Sequence, residues 1–92
     1  MLKLFISQPM RGKTPEEITA ERERMIDYAG NVISDDFEAM DTYHKDFKGS
    51  RVEFLGLSIR DLGKADVAIF APGWEHYEGC RCEHSVCETY CI

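Results

Sequence analysis

The chain has 92 residues, of which 43% are hydrophobic and 30% are charged, a balance ordinary for one small globular domain over residues 1–92. Its formal net charge of −6 argues against a nucleic-acid polymer or an anionic membrane as the partner, because both would repel it. A single nucleotide remains compatible with this charge, since one local arginine can neutralise a phosphate.

The first apolar run, residues 2–6, predicts a buried β-strand. It is too short for the apolar part of a signal peptide, and no other run approaches the ~20 residues that a membrane span needs. We therefore expect a cytoplasmic protein. After a loop, Thr14, Pro15 and Glu17 predict a capped helix that runs to about Ile33. Its predicted inner face comprises Ile18, Arg22, Met25, Ile26, Ala29, Val32 and Ile33.

The middle of the chain predicts a second strand and a second helix. Residues 37–43 alternate between apolar and polar side chains, as in a half-buried strand. Ser50 and Glu53 form a second capping box, and the helix that they start is predicted to end near Gly63. Its apolar residues recur at helical spacing: Val52, Leu55, Ile59 and Leu62.

Residues 66–71 predict a third strand and residues 80–91 a third helix. The order β-α-β-α-β-α, with strands apolar on both faces, predicts a three-layer α/β fold. We expect a flavodoxin- or Rossmann-like parallel sheet of three to four strands, flanked by helices. So narrow a sheet has two exposed edges, and so short a chain has a thin core; we therefore expect a homo-oligomer.

All four cysteines lie within the last 13 residues. On a helix, Cys80, His84, Cys87 and Cys91 share one stripe, which is compatible with zinc. The stripe extends over roughly 16 Å, too far for one tetrahedral ion. We favour packing in the core over a metal site, a disulfide or a redox role, since cytosolic thiols stay reduced. No metal and no cofactor are predicted.

The best candidate for chemistry is Glu83, in the predicted first turn of the third helix. Open α/β sheets bind ligands beyond the carboxyl ends of their strands, so Glu83 is a candidate nucleophile or electrostatic stabiliser. The alternative is that it only complements the helix dipole. Arg11 and Gly12, in the first βα loop, would bind a phosphate or sugar against a helix N-terminus. Otherwise Gly12 serves the turn and Arg11 is a solvated charge.

Two aromatic residues precede the third helix. Trp74 and Tyr77 would stack on a purine or pyrimidine, or would cap the small core. Among the neighbouring polar residues, His76 is expected on the surface, Asp66 is expected to stiffen the start of the third strand, and Asp61 is expected to be solvated.

Five segments carry a resemblance to known proteins. They are residues 5–12 (FISQPMRG), the capped first helix, residues 65–67 (ADV), residues 71–74 (APGW) and residues 79–84 (GCRCEH). Together they resemble a small phage-associated family of uncharacterised proteins. That family is itself similar to nucleoside 2-deoxyribosyltransferases and deoxynucleoside 5′-monophosphate N-glycosidases. The resemblance covers nearly the whole chain and implies a location in the host cytoplasm if a phage encodes it.

The resemblance implies that Glu83, four residues after Gly79, attacks the anomeric carbon of the sugar, and that Arg11 with Gly12 binds a phosphate. The enzymes carry an aspartate eight residues before the strand aspartate. Ser58 stands there in this chain and is expected to orient Glu83. Relatives usually continue into a further strand, so a shortened sheet is expected. The implied substrate-binding residues are Ser7, Gln8, Met10, Arg11, Gly12, Trp74, Tyr77 and Gly79.

The implied function is hydrolysis of an N-glycosidic bond or deoxyribosyl transfer, on a nucleotide or nucleoside-like small molecule. An alternative is a non-catalytic binding protein, a sponge for a nucleotide-derived signalling molecule such as an ADP-ribose derivative. The hydroxyl at Ser58 favours this alternative, because it supplies no second charge. A third interpretation is an interaction protein with a vestigial crevice.

Overall fold

The computed structural model describes residues 1–90. Within them, three strands and three helices alternate along the chain, with a short 3-10 turn at Trp74–His76. The strands are β1 (Leu2–Ser7), β2 (Phe37–Ala39) and β3 (Val67–Phe70), and the helices are α1 (Pro15–Val32), α2 (Arg51–Leu62) and α3 (Glu78–Tyr90).

The strands form one parallel sheet in the order β2-β1-β3. Leu2 to Leu4 of β1 pair with β2, and Leu4 to Ser7 pair with β3. The chain leaves β1 towards one edge of the sheet and returns across it to the other edge. The strand order therefore reverses between β1 and β3, which is where open α/β sheets form a ligand crevice.

Both faces of the sheet are covered. Alternate residues of β1 point to opposite faces, so Leu4 and Ile6 lie on one side and Phe5 on the other. The first side packs against α1 through the buried residues Met25 and Ala29. The second side packs against α2 and α3 through the buried residues Leu62 and Cys87. This confirms the predicted three-layer α/β fold with a parallel, Rossmann-like sheet.

The two predicted capping boxes are confirmed. Thr14 accepts a hydrogen bond from the backbone N–H of Glu17, whose carboxylate accepts from the N–H of Thr14. Ser50 and Glu53 repeat this exchange at the start of α2, which ends at Leu62. Each helix thereby satisfies two of its unpaired N-terminal donors.

The prediction that the second strand reaches residue 43 is wrong, because β2 ends at Ala39. The backbone N–H of Met40 still donates to the carbonyl of Leu4 at 2.9 Å, and a side chain makes the next bond to β1. The hydroxyl of Thr42 donates to the carbonyl of Ile6 at 3.0 Å. The backbone N–H of Tyr43 donates to the carboxylate of Asp41, which turns the chain away from the sheet.

The third strand is also shorter than predicted, and α3 begins at Glu78 instead of residue 80. Glu83 therefore lies in the second turn of α3, not in the first, and the first-turn carboxylate that complements the helix dipole is Glu78. Asp66 precedes β3 and accepts a hydrogen bond from the backbone N–H of Lys3 at 2.8 Å. This bond ties the residue before β3 to β1, which is compatible with the predicted stiffening of the start of the strand.

Two predicted core residues are exposed: Val32 by 57% and Val52 by 78%. Both lie in terminal turns, Val32 in the last turn of α1 and Val52 in the first turn of α2. The 18-residue α1 is ~27 Å long, whereas a six-residue strand is ~20 Å long, so the last turn of α1, with Val32, extends past the sheet. Among residues 1–90, no helix combines the length and apolarity needed to cross a membrane.

Candidate functional site

A cavity of about 640 Å³ opens at the carboxyl edge of the sheet. It lies there because the strands are parallel, so the loop after β1 and the starts of α2 and α3 meet at one edge. The volume falls in the range of roughly 300–1,000 Å³ typical of small-molecule sites. The predicted site residues that line it are Ser7, Gln8, Met10, Arg11, Ser58, Tyr77, Gly79 and Glu83.

Glu83 lies on the inner wall of this cavity and is only 7% exposed. The hydroxyl of Ser7, the last residue of β1, donates a hydrogen bond to Oε1 of Glu83 at 2.6 Å. The buried hydroxyl of Ser58 comes from α2 and lines the same cavity. Side chains from β1, α2 and α3 therefore surround one carboxyl group.

Burial raises the pKa of Glu83 above its usual value, while the hydroxyls of Ser7 and Ser58 act in the opposite direction by stabilising the carboxylate. Burial has the larger effect, so the pKa of Glu83 is raised overall, which favours the protonated form of the carboxyl group. A titratable group perturbed by burial in a cavity is a feature of catalytic sites. Glu83 is the acid in this cavity that combines these properties.

Gln8 also lines the cavity, and its side chain carries a buried, unsatisfied acceptor. Its side chain is buried, and Nε2 donates to the carbonyl of Ile18 at 3.0 Å, which assigns the other side-chain position to Oε1. No residue among 1–90 donates to Oε1 of Gln8, nor to the buried Oε1 of Glu21 in α1. A buried acceptor without a donor costs about 1–3 kcal/mol.

Cys80 lies one turn before Glu83 on α3 and is buried in the cavity wall. Burial raises the pKa of its thiol, and the nearby carboxylates of Glu83 and Glu21 raise it further, against a lowering by Ser7. The thiol therefore stays protonated at neutral pH and is a weak nucleophile. Cys87 packs in the core, as predicted.

The predicted cysteine and histidine stripe gathers no metal site among residues 1–90, where no group of three or more potential ligands converges. Cys91, the last member of that stripe, lies outside the described residues. Cys82 is exposed.

Charged residues form the mouth of the cavity. Glu78 Oε2 accepts a hydrogen bond from Nη2 of Arg51 at 2.9 Å and lies 4.0 Å from Nη1 of Arg11. The guanidinium of Arg11 also sits over the ring of Tyr77, 5.9 Å from its centroid, a cation–π arrangement.

Two predicted site residues lie outside the cavity lining. Trp74 stacks on His84 with centroids 4.1 Å apart and packs against Phe70 at the end of β3. This arrangement corresponds to the alternative in which Trp74 caps the core. Gly12 has a φ of +80°, a left-handed conformation that its turn requires of a glycine.

The sequence interpretation missed a histidine on the far wall. His44, in the loop after β2, lines the cavity, and its Nε2 lies 2.6 Å from Oδ2 of Asp61. The expectation that Asp61 is solvated is wrong, because its side chain is only 16% exposed. His44 has a φ of +50°, rare for a residue with a Cβ. The sequence offers one signal for His44, namely that it lies in the loop after a predicted parallel strand, since every such loop reaches this edge of the sheet.

Comparison with protein-family models, curated proteins and solved structures found no match to this chain. The resemblance to deoxyribosyltransferases and N-glycosidases therefore stays a prediction, and the functional argument depends on the geometry around Glu83.

Proposed function

We propose that this protein cleaves the N-glycosidic bond of a nucleoside or nucleotide, as a hydrolase or a deoxyribosyltransferase, with Glu83 as the nucleophile. One observation carries the proposal. A carboxyl group that is 7% exposed lines a cavity of about 640 Å³ at the switch point of the sheet, and a serine hydroxyl holds it at 2.6 Å.

The Ser7 hydrogen bond orients the carboxylate for attack. Ser7 binds Oε1 and leaves Oε2 of Glu83 to approach the anomeric carbon. As the bond from that carbon to the base breaks, its electron pair moves to the base nitrogen, which takes up a proton from solvent water. The oxocarbenium-like carbon is captured as a glycosyl ester of Glu83. Water or a second base then attacks the same carbon and releases the carboxylate.

The other walls fit the remaining parts of such a substrate. Oε1 of Gln8, which is buried and lacks a donor among residues 1–90, would accept a hydrogen bond from a sugar hydroxyl once the side chain turns towards the cavity. Tyr77 and Met10 provide an apolar surface for a base. Arg11 lies at the mouth, where the resemblance implies a phosphate. The stack of Trp74 on His84 gives no support to a role of Trp74 in binding the base.

Binding without cleavage is the second candidate. The ligand would be a nucleotide-derived signal, such as an ADP-ribose derivative. The observation in its favour is that Ser58, and not a second acid, accompanies Glu83 inside the cavity. The other carboxylate that lines the cavity within residues 1–90, Glu78, is at the mouth and paired with Arg51. No carboxylic acid beside Glu83 would then protonate the departing base.

The wider parts of the proposal are a cytoplasmic location, encoding by a phage and self-association. The narrow sheet supports self-association, because β2 and β3 each carry one edge that is not paired within the sheet.

The test compares the wild-type protein with Glu83→Gln and with Glu75→Gln. Glu75 is an exposed acid outside the cavity lining and serves as the matched control. Each protein is incubated with deoxynucleosides, deoxynucleoside 5′-monophosphates and ADP-ribose derivatives, and free base is measured by mass spectrometry. We expect Glu83→Gln to lose base release by about a thousandfold or more and to keep ligand binding.

The outcomes separate the candidates. Full turnover by Glu83→Gln contradicts the role of Glu83 as nucleophile. A ligand-dependent rise in the melting temperature of the wild-type protein without base release supports the binding protein. If no ligand of the panel produces turnover or a thermal shift, both candidates are rejected.

A further inference from the structure

A histidine and an aspartate form a second polar pair at the cavity that holds Glu83. Nε2 of His44 lies 2.6 Å from Oδ2 of Asp61, and the two side chains are only 22% and 16% exposed. His44 lines the cavity, whereas Asp61 is not among the lining residues. A ligand in the cavity would therefore meet His44, with Asp61 behind it.

Helix α2 brings His44 close to the groups around Glu83. Phe54, Ser58 and Asp61 are spaced four and three residues apart, so they share one face of the helix. The His44 ring packs edge-on against Phe54, with centroids 6.1 Å apart. The same ring binds Asp61, one turn beyond Ser58. His44 therefore lies alongside the turn that carries Ser58, whose hydroxyl stabilises the carboxylate of Glu83.

The backbone contacts of the loop after β2 hold His44 in place. Its φ of +50° costs roughly 1–3 kcal/mol for a residue with a Cβ. The carboxylate of Asp41 accepts from the N–H groups of Tyr43 and His44, both at 3.2 Å. The carbonyl of His44 accepts from the N–H of Phe47 at 2.8 Å. These bonds maintain the strained conformation, which places the ring between the cavity and Asp61.

The contact with Asp61 gives the imidazole a defined chemistry. A carboxylate accepts, so Nε2 of His44 carries the hydrogen in this pair, and the ring is held in one tautomer. Nδ1 is left to exchange a proton with a ligand, because the two ring nitrogens point in roughly opposite directions. Histidine takes up and releases a proton near neutral pH. The hydroxyl of Ser58 is a far weaker acid than an imidazolium and cannot do this work.

We infer that His44 is the acid–base residue of the cavity and that Asp61 is its positioning residue. The inference rests on the proposed function. As the glycosidic bond breaks, Nδ1–H of the imidazolium gives its proton to the base nitrogen, and the ring becomes neutral. Nδ1 then takes a proton from the water, or from the second base, that attacks the glycosyl ester of Glu83. This step restores the imidazolium and the carboxylate, so the proton drawn from water reaches the next departing base through His44.

The pH dependence follows from the charged groups around His44. Those on its own loop are Asp41, Lys45 and Asp46; α2 adds Asp61; the shared cavity adds Glu83, and its mouth adds Arg11, Arg51 and Glu78. Asp61 is the one in contact with the ring. Because an acid acts in its protonated form, base release should fall on the alkaline side as His44 loses its proton. It should rise on the acid side as Glu83 ionises.

The first experiment measures kcat for base release against pH, with deoxynucleosides, deoxynucleoside 5′-monophosphates and ADP-ribose derivatives as probes. His44→Gln keeps an N–H donor for Asp61 but does not titrate. We expect it to lose about a hundredfold or more in kcat at pH 7 and to lose the alkaline fall. A 4-nitrophenyl glycoside of the same sugar needs no proton on its leaving group, so its cleavage should change by less than about threefold. His76→Gln, at an exposed position outside the cavity lining, should match the wild type.

The second experiment tests the imidazole itself. Glycine adopts a positive φ without strain, so His44→Gly removes the ring and relaxes the backbone. Free imidazole should restore base release to His44→Gly and not to Glu83→Gln. Asp61→Asn should displace the alkaline fall to lower pH, because the imidazolium loses its carboxylate partner. Asp35→Asn, at an exposed position before β2, should leave the profile unchanged. Thermal melts establish that each variant is folded.

The possible failures are distinguishable. If the wild-type protein releases no base from any probe, the proposed function is rejected and the role of His44 falls with it. If the wild type releases base and His44→Gln matches its rate and pH profile, only the role of His44 is rejected. Equal losses for the natural bases and the nitrophenyl glycoside indicate a structural role and overturn the inference. So does a folded His44→Gly that imidazole does not rescue.

Discussion

Replacing Glu83 by glutamine should stabilise the fold at neutral and alkaline pH and have little pH-dependent effect near pH 4. Burial raises the pKa of Glu83 in the folded state. Below the unfolded-state pKa, which is about 4.3, both states hold the proton and burial of the neutral acid carries no charge penalty. As the pH rises, the unfolded state releases its proton first, so the free energy of unfolding falls. The loss is complete above the folded-state pKa.

The size of the effect separates into two parts. The part that depends on pH amounts to about 1.4 kcal/mol for each unit by which the pKa is displaced, and glutamine removes it because it does not titrate. The part that is independent of pH is small, because the amide oxygen of glutamine accepts from Ser7 as Oε1 of Glu83 does. For a domain of this size, 1 kcal/mol corresponds to roughly 4–8 °C in the melting temperature.

The assay is urea denaturation of the wild-type protein, Glu83→Gln and the exposed control Glu75→Gln between pH 4 and pH 9. The difference in unfolding free energy between Glu83→Gln and wild type should grow with pH and then level off. Glu75→Gln should follow the wild-type profile. Ser7→Ala should add a loss that grows with pH in the wild type and stays constant, at about 1 kcal/mol, in the Glu83→Gln background. Parallel profiles for wild type and Glu83→Gln would refute the reasoning.

Two further predictions follow from burial and capping. Alkylation of the native protein at pH 8 should label the exposed Cys82 before Cys80 and Cys87, because burial raises the pKa values of these two thiols. Peptide mass spectrometry measures the three labelling rates. Equal rates would contradict the buried placement of Cys80 and Cys87. Ser50→Ala should lower the free energy of unfolding by about 0.5–2 kcal/mol, because the N–H of Glu53 loses its acceptor, and Ser50→Asp should restore it in the same denaturation assay.

The elements that sequence reasoning predicted well are those specified by neighbouring residues. Thr14 and Ser50 mark the starts of α1 and α2 because the capping residue and its partner are three positions apart. The parallel order of the strands also follows from local patterns, since each strand is apolar on both faces and is followed by a helix.

The errors fall where a distant contact decides the boundary. The second strand ends at Ala39 because the hydroxyl of Thr42 replaces a backbone donor to the carbonyl of Ile6, 36 residues away. The sequence predicts a solvated Asp61, yet this residue pairs with His44 across 17 residues of chain. Nothing local to Asp61 signals that contact, because it depends on the path of the loop after β2.

The candidate site also contains features that sequence reasoning predicted and features that depend on distant contacts. Ser7 and Glu83 are 76 residues apart, but a general rule brings them together: Ser7 ends β1 and Glu83 lies in the helix that follows β3, and parallel strands end at one edge of the sheet. The pairing of Arg51 with Glu78 joins the starts of two helices at that edge, and it needs the relative positions of α2 and α3. Sequence reasoning predicted the edge and the acid, but it did not predict the charged mouth.

The polar groups inside the cavity support a role in ligand binding on energetic grounds. A protein of this size is stable by only about 5–15 kcal/mol. Replacing buried charged groups by well-packed apolar residues often leaves the free energy of unfolding unchanged or raises it. Glu83 instead carries the cost of a buried charge, and Oε1 of Gln8 lacks a donor among residues 1–90. Both groups line one cavity. The unpaired Oε1 of Glu21 lies outside that lining, so two of the three costs belong to residues of one site, as is expected where binding, and not packing, determines the residues.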